Sequence, residues 1–206
     1  MAIRFSQEEF SKLKNHLVYY NCALKNMETR INILIEDFNL QESNPLEHVK
    51  ARLKSPESIA AKLERRGHPI TAESAVQNLH DIAGIRCICS FSPDIITMAD
   101  ILRRQEDMAI LYERDYINNP KPSGYRSFHL GVEIPIYLAN QTLRIPVEVQ
   151  LRTQAMDFWA TLEHKARYKY ANVVPEAVTA ELVACSNESA MLDRRMYEIH
   201  QQMQKL

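Results

Sequence analysis

Four short stretches of this 206-residue chain carry side chains suited to chemistry on phosphates. The first is basic: Lys50, Arg52, Lys54, Lys62, Arg65 and Arg66 stand against only Glu57 and Glu64. Arg52 and Lys54 alternate on an extended segment and so project from one face. Ser55-Pro56 then opens a helix whose first backbone N–H groups can also face an anion. That pattern suits a polyphosphate, although a charge run taken alone also reads as a solvated face. The second stretch is His80-Asp81, leading through Gly84 to Arg86. A carboxylate at a strand entrance can hold Mg²⁺ beside phosphate oxygens, and a planar guanidinium can bind phosphate or stack on a base. Taken singly, Asp81 also fits a turn that pairs with Arg86.

The third stretch is Lys121-Pro122-Ser123-Gly124-Tyr125-Arg126-Ser127-Phe128-His129. Gly124 allows close backbone approach, and Tyr125, expected to be exposed, offers a flat face for a purine. Lys121, Arg126 and His129 offer charge-assisted donors to phosphate. The fourth is Val147 to Arg152, where Val147, Val149 and Leu151 pack inward while Glu148, Gln150 and Arg152 line the other face. A glutamate among β-branched neighbours is costly to bury without a cation. It could complete a magnesium site with Asp81 or act as a general base on a hydroxyl.

These stretches need a scaffold to bring them together. Ser6 with Glu9 predicts a capping box at the head of a long helix. Its apolar positions, Phe10, Leu13, Leu17, Tyr20, Leu24, Met27, Ile31, Leu34 and Phe38, alternate steps of three and four. That seam fits either the helix's own domain or another subunit. An extended segment at Val49–Leu53 follows, then a helix from Ser55 to Gly67 and one from Thr71 to about Leu79. A strand at Ile82–Ser90 and a helix capped by Ser92-Pro93, to about Arg104, come next. Strands are predicted at Met108–Tyr116, Tyr125–Leu138 and Thr142–Leu151, the last two joined as a hairpin. Helices at about Thr153–Tyr170 and Pro175–Lys205 finish the chain. The expectation is an α+β fold with a mixed sheet flanked by helices, in one domain of residues 1–206. Within it, 1–44 would be the N-terminal helix, 45–170 the core and 171–206 the C-terminal helix.

Apolar residues make up 46% and charged residues 25%, with a net charge of −1. Without a global basic field, RNA binding is not indicated, and an anionic ligand must be met by a local cluster. No stretch approaches the roughly 20 apolar residues that span a bilayer, and the N-terminus lacks an apolar signal core. Cys22, Cys87, Cys89 and Cys185 show no metal-type pairing, and a reduced, cytoplasmic protein is expected.

Arg-Leu-Lys-Ser-Pro-Glu-Ser-Ile (52–59), His-Asp-Ile-Ala-Gly-Ile-Arg (80–86), Lys-Pro-Ser-Gly-Tyr-Arg-Ser-Phe-His-Leu (121–130) and Val-Glu-Val-Gln-Leu-Arg-Thr (147–153) resemble, in order, the synthetase motifs of the RelA/SpoT alarmone enzymes. The similarity covers about residues 45–170. The chain is most similar to the small, stand-alone synthetases, and around Asp157 to the RelP-type more than the RelQ-type.

The resemblance implies a nucleotidyltransferase-like mixed sheet and transfer of pyrophosphate from ATP to the 3′-hydroxyl of GDP or GTP. Arg52 and Arg86 would sandwich the ATP adenine, with Lys54, Lys62 and Arg114 on its phosphates and Ser55 beside them. Asp81 and Glu148 would be the catalytic pair and hold Mg²⁺. Tyr125 would stack on the acceptor guanine, and Lys121 and His129 would lie near its phosphates. Ser123, Gly124, Arg126, Gln150, Arg152 and Asp157 would complete the GDP/GTP site. It further implies a homotetramer, with neither a hydrolase domain nor ribosome-sensing domains. Two rival readings are a non-catalytic nucleotide- or RNA-binding regulator on the same scaffold and the same enzyme acting on adenine nucleotide acceptors. Two carboxylates placed to hold a metal argue against mere binding.

Overall fold

Chain segments of alternating apolar and polar character pair into one five-stranded sheet, which the computed structural model describes together with its helices over residues 4–169 and 175–206. The elements run α1 (Gln7–Leu40), β1 (Leu46–Leu53), α2 (Pro56–Arg65), α3 (Ala72–Asn78), β2 (Ala83–Cys89), α4 (Ser92–Arg103), β3 (Ala109–Asp115), β4 (Phe128–Tyr137), β5 (Thr142–Thr153), α5 (Gln154–Lys169) and α6 (Glu176–Met203). The strand order is β1-β2-β5-β4-β3. Only β2 and β5 are parallel, and the other three pairings are antiparallel, so the expected mixed sheet is present.

Register divides the sheet into two chemically different faces, because residues paired across strands point the same way. On one face Ala51, Ile85, Val149 and Leu130 are partnered in a row, as are Leu53, Ala83, Val147 and Val132. These rows form one core with Leu13, Tyr20, Met27 and Ile31 of α1 and Ile95, Met98 and Leu102 of α4. The seam of the long helix is therefore packed on the chain's own sheet, except at Phe10, which is 42% exposed. On the opposite face one row runs Arg52, Gly84, Glu148, Gly131, Tyr112, and the next Lys50, Arg86, Gln150, His129, Arg114. The apolar face buries the sheet, and the polar face is left free for chemistry.

Element ends differ from expectation where side chains found other partners. Ser6 Oγ accepts the Glu9 N–H at 3.2 Å, as a capping box requires. The Glu9 carboxylate does not return to Ser6. It accepts from the Ala72 N–H at 2.7 Å, so α1 caps α3 instead. At α4 the cap is Phe91, whose N–H donates to Asp94 at 2.9 Å, and Ser92 is already helical. Strand β4 begins at Phe128 rather than Tyr125, because Gly124 has φ +89° and turns the chain there. Gly67, with φ +71°, ends α2 as expected, and the His68 N–H reaches back to the Leu63 carbonyl at 3.0 Å. The predicted end of α5 at Tyr170 and the boundary at 170/171 lie outside the described residues. Cys87 and Cys89 are buried, unpaired core residues.

Helices α5 and α6 brace the turn at Gly124. Ser186 Oγ donates to the Gly124 carbonyl at 2.5 Å, and the Trp159 indole N–H donates to the Leu182 carbonyl at 2.8 Å. No helix among the described residues is long and apolar enough to cross a membrane.

Candidate active site

The polar face opens into a cleft of about 520 Å³. Its lining includes Lys50 and Arg52 from β1, Lys54 just after it, Lys62 and Arg65 from α2, Asp81, then Gly84 and Arg86 from β2, and Glu148 and Gln150 from β5. Six of these side chains are cationic and two are carboxylates. Arg52 at the end of β1 and Lys54 just beyond it both line the cleft, and Lys62 faces it from the second turn of a helix held in place by Ile59, Ala60 and Leu63.

Asp81 is the hub of the cationic side. Lys54 Nζ lies 2.6 Å from its Oδ2, and Lys62 Nζ donates to the same oxygen. Burial opposes ionisation of this carboxyl, but the two ammonium groups outweigh it and hold Asp81 below its usual range. Burial also pulls Lys62 down, more than Asp81 raises it. Asp81 Oδ1 is buried and has no hydrogen-bond partner. One anionic oxygen is thus left unsatisfied, which is costly unless a cation or ligand donor meets it.

Glu148 lies across the parallel β2–β5 pairing, opposite Gly84. A Cβ at position 84 would stand 3.7 Å from the Glu148 carbonyl, so this glycine leaves the floor low without being forced by strain. The carboxylate is buried and accepts from Gln150 Nε2 at 2.7 Å and from the Tyr112 hydroxyl at 3.0 Å, with His129 Nδ1 at 3.4 Å. Burial would raise its pKa, but His129 chiefly, then Gln150 and Tyr112, bring it down to about 2. Glu148 is therefore ionised at neutral pH, as a proton acceptor or cation ligand must be.

A hydrogen-bond chain continues from there. His129 Nε2 lies 2.8 Å from the Tyr125 hydroxyl, which Arg152 reaches at 2.5 Å. Arg152 also donates to Gln150 Oε1 at 3.1 Å and to Asp157 Oδ1 at 3.0 Å. Asp157 Oδ1 accepts from Arg86 at 2.9 Å as well, so one carboxylate joins the two sides of the site. Burial lowers the pKa of Arg86 from the usual guanidinium value, with the nearby Arg152 adding to it.

Of the residues singled out in the sequence, Arg52, Lys54, Lys62, Asp81, Arg86, Glu148 and Gln150 line one cleft. Tyr125, His129, Arg152 and Asp157 join it through hydrogen bonds. Lys121 Nζ stands 4.6 Å from the Tyr116 ring centre and 4.9 Å from that of Tyr125. Tyr125 is half-buried rather than exposed, with the Arg152 guanidinium 4.9 Å from its ring centre. Arg114 lies over the Tyr112 ring at 4.6 Å.

Others are placed elsewhere. Arg126 donates to the Ile117 carbonyl at 2.8 Å and to Asn187 Oδ1 at 3.0 Å, tying the loop to α6. Ser55 is the α2 cap and accepts the Ser58 N–H at 3.3 Å. Gly124 packs on Trp159 and Ser186, where a Cβ would lie 3.3 and 3.0 Å from their nearest side-chain carbons, with Ser123 in the same turn. Sequence reasoning missed Tyr112 and Gly131. The pairing of β3 with β4 brings them to Glu148, and local spacing gives no sign of it.

The model of the region found in RelA and SpoT proteins matches residues 51–173. The chain belongs to the RelA/SpoT family. It is 44% identical to the GTP pyrophosphokinase YwaC of Bacillus subtilis over 92% of this chain and 91% of that one. The small alarmone synthetase 2 of Bacillus subtilis superposes with a TM-score of 0.84 at 43% identity, covering 92% of this chain and 98% of that one. The small alarmone synthetase 1 of the same organism, bound to its product pppGpp, gives 0.87 at 34% identity, with 93% and 97% covered. This RelA/SpoT chain thus shares both the sheet and the long terminal helices with enzymes of alarmone synthesis.

Proposed function

We propose that this protein transfers the pyrophosphate of ATP to the ribose 3′-hydroxyl of GDP or GTP, giving ppGpp or pppGpp and AMP. The observation that carries the reading is the meeting of Asp81 and Glu148, 67 positions apart in sequence, in one cleft walled by Arg52, Lys54 and Lys62.

The cationic wall suits ATP. Arg52 and Arg86 offer planar faces to its adenine, and Lys54 and Lys62 offer charge to its phosphates, with Arg114 contributing from β3, outside that wall. The acceptor nucleotide takes the Tyr125 side, with Lys121 nearby and with Gln150, Arg152 and Asp157 at the border. Glu148 takes the proton of the 3′-hydroxyl. The freed oxygen forms a bond to the β-phosphorus of ATP, and the bond from that phosphorus to the oxygen bridging the α- and β-phosphates breaks. AMP leaves with the electron pair. The lysines and arginines offset the charge that gathers on the transferring group.

A divalent cation fits the residues present. The unpartnered, buried Asp81 Oδ1 and the ionised Glu148 are hard oxygen donors. Among the described residues no group of three His, Cys, Asp or Glu forms a closed cage, which agrees with Mg²⁺ that keeps waters and phosphate oxygens as its other ligands. When bound, Mg²⁺ supplies charge neutralisation on the phosphates.

The protein would work as a cytoplasmic homotetramer without hydrolase activity. The exposed apolar side chains of α6, including Met191, Leu192, Met196 and Met203, support an assembly of copies.

The test is incubation with γ-labelled ATP, Mg²⁺ and, in turn, GDP, GTP or ADP, with products resolved by chromatography. Label is expected in ppGpp and pppGpp, with AMP formed in equal amount. Label on ADP alone would replace the acceptor, and no transfer to any nucleotide would leave a binding protein.

A further inference from the structure

Tyr112 belongs to none of the four motifs, yet it donates one of the two hydrogen bonds that, with the His129 ion pair, hold Glu148. It reaches that place across an intervening strand. Tyr112 is paired with Gly131 of β4, and Gly131 with Glu148 of β5. Adjacent strands lie about 4.8 Å apart, so the phenol must span roughly 10 Å over the sheet.

Three features make that span possible. The first is a register shift in β3. Ile110 pairs with Val132, and the next pair is Tyr112 with Gly131, so Leu111 is an extra residue. Regular alternation from Ile110, on the apolar face, would send Tyr112 to the apolar face too. The bulge turns it onto the cleft face instead. The second is Gly131. A Cβ there would stand 2.1, 2.4 and 2.5 Å from three carbons of the Tyr112 ring, so the ring lies on the bare glycine. The third is Arg114, whose guanidinium lies 4.6 Å from the ring centre. The hydroxyl that results is 3.0 Å from Glu148 Oε2. A tyrosine serving only to fill the edge of the sheet would need neither the bulge nor the glycine.

We infer that Tyr112 is a positioning residue for pyrophosphate transfer, seated on Gly131 so that its hydroxyl fixes the orientation of the Glu148 carboxylate. This rests on the transfer reaction proposed above. The role is to aim an acceptor oxygen, so it belongs to the chemical step and leaves the binding of either nucleotide alone.

The test compares wild type, Tyr112→Phe, Gly131→Ala and the double variant in the ATP-plus-GDP assay, with melting temperatures alongside. Tyr112→Phe keeps the ring and loses the hydroxyl. Its kcat is expected to fall about tenfold to a hundredfold, as for other groups that orient a reacting side chain. KM for both nucleotides should stay within about twofold, the sign of an interaction used in the chemical step. Gly131→Ala displaces the ring and should lower kcat similarly, but in the Tyr112→Phe background it should add little, because both changes break one contact. An unchanged kcat in Tyr112→Phe overturns the inference, as does a loss that appears mainly in one KM. If Gly131→Ala lowers the melting temperature, Tyr112→Phe decides alone. An inactive wild type defeats the transfer reaction itself, whereas an active wild type with a fully active Tyr112→Phe defeats only the role of Tyr112.

Discussion

The two sides of the cleft hold their charges differently. On the side of β1 and α2, Lys54 and Lys62 converge on a single oxygen of Asp81, the other oxygen has no partner, and Lys62 is pulled down by burial. On the side of β4 and β5, every polar group is tied to the next, from Tyr112 through Glu148, His129, Tyr125 and Arg152 to Asp157. An under-satisfied cluster gains when a polyanion or a cation enters, since buried charges without partners are costly. A satisfied network gains little from a ligand but fixes geometry, which a general base requires. In the proposed reaction the first side would take the donor phosphates and the second would position the acceptor hydroxyl.

Glu148→Gln breaks this comparison most severely. It keeps the shape and loses the base, so synthesis should fall by about 10²–10⁴-fold. ATP and GDP binding, followed by calorimetry, should largely survive. Near-normal turnover would remove Glu148 from the mechanism. Tyr125→Ala probes the acceptor side alone. It should raise KM for GDP or GTP by about tenfold to a hundredfold, from the loss of a stacking face, with the ATP KM little changed. A rise confined to the ATP KM would exchange the two pockets. Lys62→Met probes the donor side. Lys54 still pairs with Asp81, so the fold should hold while the ATP KM rises about tenfold through loss of one charge-assisted contact. An equal rise in the GDP KM would mean that the two sides are not separate.

The sequence made much of this legible because the donor wall is local. Arg52 and Lys54 alternate across the end of β1, and Ser55, Pro56 and Gly67 mark both ends of α2, so spacing alone orients the cations. Glu148 was legible for the same reason, alternating with Val147 and Val149. What escaped depends on pairing between distant segments. Tyr112 reaches Glu148 through a bulge at Leu111 and a glycine on another strand, and neither has a local signature. Arg126 sits in the same motif as Tyr125 but turns to α6, because Asn187 and the Ile117 carbonyl satisfy it there. Glu9 matches a capping box by spacing, yet the N–H of Ala72, 63 residues away, takes its carboxylate.

The most direct test of the central claim is a crystal structure with a non-hydrolysable ATP analogue, GDP and Mn²⁺ in place of Mg²⁺, the ion located by its anomalous scattering. One Mn²⁺ is expected, held by Asp81 and Glu148, with the analogue's phosphates on Lys54 and Lys62 and the GDP 3′-hydroxyl beside Glu148. An ion bound away from either carboxylate, or a GDP whose 3′-hydroxyl lies out of reach of Glu148, would contradict that claim.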